Sequence, residues 1–196
     1  MDVSEHFKQA VTAFDKLNAQ DPNFRDVDGK KVPFELFFAD KMSEWVSRVN
    51  PDASEPVLLA ARCQHLCRWE IPRSKYMPGR IGYLKWRQDL KNFHADRSSD
   101  VLRKVGYDSE TIEKVRSINL KQGLGIDPQL QVIEDALCLV FLEIQFDDLI
   151  AKTDKQKMIS IIQKTWGKMS RRARSLAAEI KLSENGSALF QQALHS

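Results

Sequence analysis

The chain has 196 residues, of which 42% are hydrophobic and 29% are charged, and this composition is typical of one globular domain of ordinary size. Its formal net charge of +3 is too small to indicate a nucleic-acid-binding protein by itself. The charged N-terminal stretch MDVSEHFKQAV has no apolar signal-peptide core, and no apolar run approaches transmembrane length. With three cysteines and no disulfide-rich spacing, the sequence predicts a cytoplasmic protein without a membrane partner.

Helical periodicity continues through most of the chain. It predicts six or seven helices, at residues 4–18, 34–49, 54–69, 82–105, 109–121, 129–150 and 155–181. Residues 21–33 and 71–81 are predicted loops, because Asp, Gly and Pro are concentrated there. Residues 183–196 are expected to form a loosely packed tail, with a short helix after Asn185-Gly186. Since strand-type alternation is nowhere sustained, the sequence predicts a single all-α domain of residues 1–196.

Between Gln64 and Asp96 the chain concentrates histidine, tryptophan and arginine, in QHLCRWEIPRSKYMPGRIGYLKWRQDLKNFHAD. Buried guanidinium and imidazole groups need partners, so this stretch indicates a site. The planar fork of arginine matches phosphate or carboxylate. Four arginines are therefore candidates for binding an anionic substrate: Arg68, Arg73, Arg80 and Arg87. Trp69 and Trp86 are candidates for stacking on a substrate ring, with a place in the hydrophobic core as the alternative.

His65, His94 and Asp135 lie on three different predicted helices, and Asp135 leads directly into the apolar run ALCLVF. Two imidazoles and a carboxylate suit a divalent transition metal such as zinc, iron, manganese or nickel, and Asp96 is a fourth candidate ligand. Water bound to such a metal becomes a nucleophile near neutral pH, with Glu134 as the candidate general base. The alternative to a metal site is that the histidines are hydrogen-bonded core residues and that the acidic residues interact favourably with the positive end of a helix dipole.

A series of motifs, QHLCRWEIPR, GYLKWR, FHAD, GYDSETIEKV, CLVFLE and KTWGKMS, resembles the family of domain of unknown function DUF4202. The resemblance extends from about Phe7 to Ser170 and implies no established activity, although some family members carry a glutamyl-tRNA synthetase label. The chain has no glycine-rich nucleotide loop between a strand and a helix. It is therefore not expected to be an aminoacyl-tRNA synthetase.

The order of His65, His94 and Asp135 is also similar to that of the metal ligands in HD-domain proteins, which are all-α. This looser resemblance implies an HD-like fold and a metal-dependent enzyme. The expected reaction is hydrolysis of a small anionic substrate, a nucleotide or another phosphorylated metabolite, and an oxygenase is the less favoured alternative. The chain departs from the HD pattern at Ala95, which stands where the aspartate of the His-Asp doublet belongs, so that Asp96 is the nearest carboxylate.

Residues 152–181 contain nine Lys or Arg residues and two acidic residues. This density favours a second hypothesis, a non-catalytic RNA- or nucleotide-binding module. Its candidate contacts are five basic side chains: Lys164, Lys168, Arg171, Arg172 and Arg174. A solvated helix face is the alternative explanation of this charge. A third hypothesis is a structural or protein-interaction role, in which a metal-free HD-like fold uses the arginines and tryptophans as an internal scaffold.

Overall fold

The computed structural model describes residues 4–123 and 125–195. Within these residues ten α-helices form the fold, and the predicted all-α class is confirmed, with more and shorter helices than the periodicity indicated. The helices are α1 (Glu5–Asn18), α2 (Phe34–Val49), α3 (Glu55–Cys63), α4 (Gly79–Val105), α5 (Ser109–Leu120), α6 (Pro128–Val140), α7 (Phe146–Ile150), α8 (Lys155–Lys168), α9 (Arg171–Ala177) and α10 (Glu184–His195). Residues 1–3, 124 and 196 of the predicted single domain lie outside the described residues.

Side-chain caps explain where several helices begin. Ser4 accepts a hydrogen bond from the backbone N–H of Phe7 at 3.0 Å, and Asp108 accepts one from Thr111 at 2.8 Å. Each cap satisfies an N–H group that the first turn of a helix leaves unpaired. At the other end of α4, Gly106 has a φ of 100°, a left-handed value that ends a helix without a Cβ clash.

Residues 21–33, predicted to be a loop, contain a short antiparallel hairpin. Strand β1 (Phe24–Val27) pairs with β2 (Lys30–Pro33). Asp28 and Gly29 connect the strands with φ values of 52° and 77°, the positive values that a two-residue hairpin turn requires. The prediction of a loop was wrong because a high content of Asp, Gly and Pro is also compatible with a hairpin, and the dipeptide Asp28-Gly29 is a strong hairpin signal.

The predicted helix at 54–69 is also shorter, because α3 ends at Cys63. Cys67 has a left-handed φ of 55°, and its backbone N–H donates to Oδ1 of Asn18 at 3.1 Å. A single 3₁₀ turn, Arg68–Glu70, follows. The contact with α1 fixes this tight turn, and apolar spacing within one segment carries no information about such a tertiary contact.

Two more predicted helices are interrupted. The one at 129–150 contains a π-helical segment, Phe141–Gln145, between α6 and α7. The one at 155–181 divides into α8 and α9, because Ser170 caps a new helix by accepting from the N–H of Ala173 at 3.1 Å. Serine competes with the helical backbone in this way, so it favours a helix start over a helix interior.

The core lies where α2, α3, α5 and α6 pack together. Phe14, Phe38 and Trp45 are among its largest fully buried side chains. The last helix, α10, packs on α8, and Leu189 and Ala193 of this segment are buried although it was expected to be a loose tail. None of the helices formed by the described residues is both long and apolar enough to cross a membrane.

Candidate functional site

A cleft with a volume of about 280 Å³ is lined by side chains from α4, α5, α6 and the end of α8. Five basic residues contribute to its lining: Arg68, Arg87, Lys91, Lys121 and Lys168. Among the described residues, Glu134 is the one acidic side chain there. A concave surface with this excess of positive charge attracts anions.

Two of the basic side chains depend on left-handed turns. Lys121 directly follows α5 and has a φ of 58°, and Cys67, which precedes Arg68, has a φ of 55°. This conformation costs a residue with a Cβ roughly 1–2 kcal/mol, and such strain is concentrated at functional sites. At Lys121 the turn ends α5 and is accompanied by an ion pair with Glu134 across the cleft.

Glu134 of α6 has only 5% of its side chain exposed and lies between two lysines. Lys121 donates to one carboxylate oxygen, and Nζ of Lys168 lies 3.3 Å from the other. Burial by itself raises the pKa of a carboxyl group, but the two ammonium groups outweigh it and the pKa of Glu134 is lowered. Glu134 is therefore ionised and pairs with both lysines. Because its pKa is lowered, it accepts a proton only weakly, which disfavours the predicted role as general base.

His94 is 4% exposed, and its Nδ1 lies 3.0 Å from the carbonyl oxygen of Leu66. Because a carbonyl oxygen only accepts, Nδ1 carries the hydrogen of the neutral ring and Nε2 carries the lone pair. Burial lowers the pKa of His94 to about 4, so the ring is neutral near pH 7. Since His94 lines the cleft, its Nε2 is a candidate hydrogen-bond acceptor for a ligand.

His65 stacks on Phe38 with ring centroids 3.9 Å apart, and its ring lies 5.8 Å from that of His94. Its Nδ1 lies 3.4 Å from Oε2 of Glu35, and Nη1 of Arg68 lies 3.2 Å from its Nε2. Burial, reinforced by Arg68, lowers the pKa of His65, and burial raises the pKa of Glu35 to about 8. The contact between the imidazole and the carboxyl group thus joins two groups that are mainly neutral at pH 7.

The four predicted metal ligands do not converge. His65 and His94 line the cleft, whereas Asp135 and Asp96 are outside its lining. Within residues 4–123 and 125–195, no group of three or more His, Cys, Asp or Glu side chains is placed to hold a metal ion. The predicted donor set does not fit a metal in this arrangement, and the metal stays a prediction.

Both predicted carboxylate ligands have other partners. Oδ1 of Asp135 accepts from the backbone N–H of Ser170 and from Nε2 of Gln131, each at 2.8 Å. Asp135 therefore connects α6 to the turn between α8 and α9. Asp96 forms a surface ion pair with Arg116 and has 64% of its side chain exposed.

Of the four arginines predicted to bind an anionic substrate, Arg68 and Arg87 line the cleft. Arg73 instead donates to the carbonyl oxygen of Tyr76 at 3.0 Å and stabilises the link that precedes α4. Arg80 is exposed and lies outside the lining of the cleft. The predicted anion site is thus only partly formed by the arginines that suggested it.

The two tryptophans predicted to stack on a substrate are not in the lining of the cleft either. Trp86 is buried and donates from Nε1 to the carbonyl oxygen of Ile71 at 2.9 Å. The guanidinium of Arg68 lies 5.0 Å from the centroid of its ring, a cation–π contact that positions Arg68. Trp69 is half-buried and packs against the core.

The five basic residues predicted to contact RNA are divided between the cleft and the surface. Lys168 lines the cleft. Arg174 is half-buried, with its guanidinium 5.3 Å from the ring centroid of Trp166. The other three are exposed: Lys164, Arg171 and Arg172.

Several residues that line the cleft were not predicted to be site residues: Gln64, Lys91, Asn119, Lys121, Phe141 and Gln145. The last two belong to the π-helical segment, and such segments are frequent at functional sites. Arg25 of β1 donates to the carbonyl oxygen of Ile144 within this segment at 2.6 Å, which gives the hairpin a part in supporting the wall of the cleft. The glycine-containing turn that follows Lys121 predicts a helix end at this residue. The ion pair between Lys121 and Glu134 has no comparable signal in the sequence.

The sequence model of the family described as Domain of unknown function (DUF4202) matches residues 8–190. The chain therefore belongs to this family, as its motifs predicted. No curated protein and no solved structure matches the chain, so the looser resemblance to HD-domain proteins stays a prediction.

Proposed function

We propose that this member of the DUF4202 family binds a small phosphorylated metabolite in the basic cleft. The observation that carries the proposal is the convergence of five basic side chains on one cleft whose lining, within the described part of the chain, includes a single carboxylate. Glu134 pairs with Lys121 and Lys168 and compensates only part of this charge. The cleft therefore retains positive charge for a ligand.

The energetics of the basic side chains support the same ligand. Burial lowers the pKa of Arg68 and that of Lys121. At Lys121 the positive charge of Arg87 lowers the pKa further, whereas the negative charge of Glu134 raises it. Cations that are removed from water and repel one another are stabilised by a bound anion. Phosphate is favoured over a single carboxylate, because it offers more charge and acceptor oxygens to two arginines and several lysines.

The dimensions of the cleft favour a metabolite over a polymer. Its volume of about 280 Å³ lies just below the range of roughly 300–1,000 Å³ that is typical of small-molecule sites. Since a water molecule occupies roughly 30 Å³, the cleft holds on the order of nine waters that a sugar phosphate or mononucleotide could displace.

We extend the proposal to hydrolysis of the bound phosphate ester, the reaction expected from the sequence. In this reaction water would attack phosphorus as the bond to the ester oxygen breaks, and the proton that the water loses would pass to the departing oxygen, so that the products are the free alcohol and inorganic phosphate. The basic side chains that line the cleft would stabilise the negative charge on the phosphate oxygens.

The proposal is tested by titrating the protein with ribose 5-phosphate, AMP and pyrophosphate, and with uncharged ribose, in a calorimeter and in thermal unfolding. We expect the phosphorylated compounds to bind and to raise the unfolding temperature, and ribose alone to do neither. Phosphate release from the esters is measured with and without added zinc, iron, manganese or nickel ions, which also tests the predicted metal-dependent hydrolysis.

Variants in the cleft separate this site from general attraction to a basic protein. Arg87→Gln and Lys168→Gln remove one charge each from the lining and should weaken binding about tenfold, since a charge-assisted hydrogen bond contributes roughly 1.5–3 kcal/mol. Lys114→Gln is the matched control, because Lys114 is exposed and pairs with Glu110 on α5 outside the lining. Equal affinity in all three variants would contradict the proposal.

A second candidate function, RNA binding, is favoured by the exposure of Lys164, Arg171 and Arg172 on neighbouring helices. Charge reversal of all three to Glu should abolish salt-dependent binding of a single-stranded RNA and leave the affinity for ribose 5-phosphate unchanged. RNA binding that survives the reversal would exclude this surface as the contact.

We infer a cytoplasmic location from the state of the cysteines. Cys63, Cys67 and Cys138 are all buried free thiols, which is typical of proteins in a reducing compartment. Microscopy of the tagged full-length chain tests this, and a secreted or organellar signal would contradict it.

A further inference from the structure

Two residues that line the cleft carry a buried hydrogen-bond acceptor that has no donor. Among the described residues, four buried side-chain nitrogen or oxygen atoms lack a hydrogen-bond partner: Asn18 Nδ2, Glu35 Oε2, Gln64 Oε1 and Asn119 Oδ1. Gln64 and Asn119 line the cleft. An unpaired buried acceptor destabilises a fold, so its presence in a binding site indicates a group that a ligand satisfies.

The orientation of the Asn119 amide follows from its neighbours. The hydroxyl of Ser98 donates its one hydrogen to the carbonyl oxygen of Ala95 at 3.2 Å. It therefore accepts from Asn119, whose Nδ2 lies 3.1 Å away. The thiol of Cys63, 3.5 Å from the same Nδ2, is a second acceptor. Both contacts fix the nitrogen on this side of the amide and leave Oδ1 as the unpaired acceptor.

His94 adds a third acceptor to this part of the cleft. Its Nδ1 hydrogen is used by Leu66, and its Nε2 carries a lone pair. Gln64, His94 and Asn119 are 6%, 4% and 1% exposed, so they form the floor of the cleft. Arg87 is exposed and Lys168 has 56% of its side chain exposed, so these two cations lie at its rim.

We infer that the ligand is a phosphate monoester whose organic part carries hydroxyl or amino hydrogens, which donate to Gln64, Asn119 and His94 at the floor of the cleft. The phosphate group is held by the basic side chains. This inference rests on the proposed function and narrows it, because inorganic phosphate, pyrophosphate and esters of simple alcohols have no organic donors to offer. Sugar phosphates, nucleotides and amino-alcohol phosphates share the required chemistry.

The test compares glycerol 3-phosphate with n-propyl phosphate, which have the same carbon skeleton and phosphate and differ in two hydroxyl groups. Titration calorimetry of the full chain is expected to show at least about tenfold tighter binding of glycerol 3-phosphate, since leaving buried acceptors unpaired costs about that factor or more. Ribose 5-phosphate, AMP and phosphoethanolamine then distinguish the three sources of donors.

The variant Gln64→Met keeps the length of the side chain and removes the acceptor. It should lower the preference for glycerol 3-phosphate over n-propyl phosphate several-fold. Asn119→Leu serves as a second variant, with its unfolding temperature measured because it also loses the contact with Ser98.

Equal affinity of the two esters for the wild-type protein would overturn the inference, as would a preference that survives Gln64→Met and Asn119→Leu together. In both cases the proposed phosphate site would stand. If neither ester nor pyrophosphate binds, the proposed function itself is wrong, so the two failures are distinguishable.

Discussion

His94 donates from Nδ1 to the carbonyl oxygen of Leu66 at 3.0 Å, and this bond ties α4 to the turn that follows α3. The turn continues into Cys67, whose left-handed conformation precedes Arg68. One buried imidazole thus supports the backbone that presents a cleft arginine and offers its other nitrogen to the cleft. Its structural and ligand-binding roles can be separated by mutation.

His94→Phe should destabilise the protein by about 1–3 kcal/mol at pH 7.5, because the buried carbonyl oxygen of Leu66 loses its donor. The folded-state pKa of His94 is about 4, below the ordinary value of 6.5. The unfolded chain therefore binds more protons between these values, and wild-type stability from this residue is present above pH 6.5 and is lost as the pH falls towards 4.

Urea unfolding of both proteins from pH 4 to pH 8 measures this linkage. The stability difference between wild type and His94→Phe should shrink as the pH falls through that window. His6→Phe is the control, since His6 is exposed, and should change stability by less than about 0.5 kcal/mol. A difference that is independent of pH would show that His94 is not buried in its neutral form.

Glu35 should produce a pH dependence of the opposite sign. Burial raises its pKa from 4.5 to about 8, so the folded state binds more protons between these values. The stability due to this group is fully present below pH 4.5 and is lost as the pH rises towards 8. Glu35→Gln mimics the neutral acid, and its stability relative to wild type should increase by a few kcal/mol between pH 5 and pH 8, on the order of 1.4 kcal/mol per pH unit.

Stability curves of Glu35→Gln and of the exposed control Glu110→Gln, measured by urea unfolding at several pH values, test this expectation. A flat difference for Glu35→Gln would mean that its carboxyl group is ionised in the folded protein and paired with His65 or Arg68 as a charged group. The neutral state assigned to both His65 and Glu35 would then be wrong.

Lys121→Met should destabilise the protein by about 2–4 kcal/mol, because Glu134 keeps its charge in a site that is 5% exposed and loses its closer lysine. Lys168→Met should cost less, since 56% of that side chain is exposed. The double variant Lys121→Met/Glu134→Gln should recover most of the loss, as the buried charge is removed with its partner. A double-mutant cycle by urea unfolding measures the coupling, and additive effects would contradict the ion pair.

The sequence predicted the helical class and the importance of the segment around His65 and His94, whose rings the structure places 5.8 Å apart at one cleft. Both results depend on local information, the period of apolar residues and an unusual density of imidazole and guanidinium groups. The two histidines meet because apolar faces of their segments pack on the same core, which periodicity can indicate.

The remaining cleft residues depend on tertiary contacts that leave little local signal. Lys121 enters the site through a left-handed turn and an ion pair with Glu134 on the next helix. Asn119 is an ordinary polar residue in the sequence, and only its contact with Ser98 shows which of its atoms is unpaired. Arg73 shows the opposite case, a predicted site residue that lies outside the cleft. Its charge suggested a contact with a substrate, but its guanidinium donates to backbone carbonyl oxygens.

Asp135 shows that a correct inference about burial does not by itself identify the partner of a carboxylate. Its position before an apolar run predicted a buried carboxylate, and it is 2% exposed. A buried carboxylate needs either a cation or hydrogen-bond donors, and Oδ1 accepts from the N–H of Ser170 and from Gln131. A structural role of this kind and a role as a metal ligand make different predictions for the same pair of variants.

Asp135→Asn keeps an oxygen at the position of Oδ1 and should change the free energy of unfolding by less than about 1 kcal/mol, whereas Asp135→Ala should cost about 2–3 kcal/mol, because the N–H of Ser170 then loses a buried acceptor. Zinc or manganese ions should shift the unfolding temperature of both variants by the same amount as that of the wild-type protein, because Asp135 lies outside the cleft. A metal-dependent stabilisation that both variants abolish would restore Asp135 as a ligand and would require the turn between α8 and α9 to rearrange. Because the asparagine variant preserves the turn, loss of metal stabilisation there could not be attributed to unfolding.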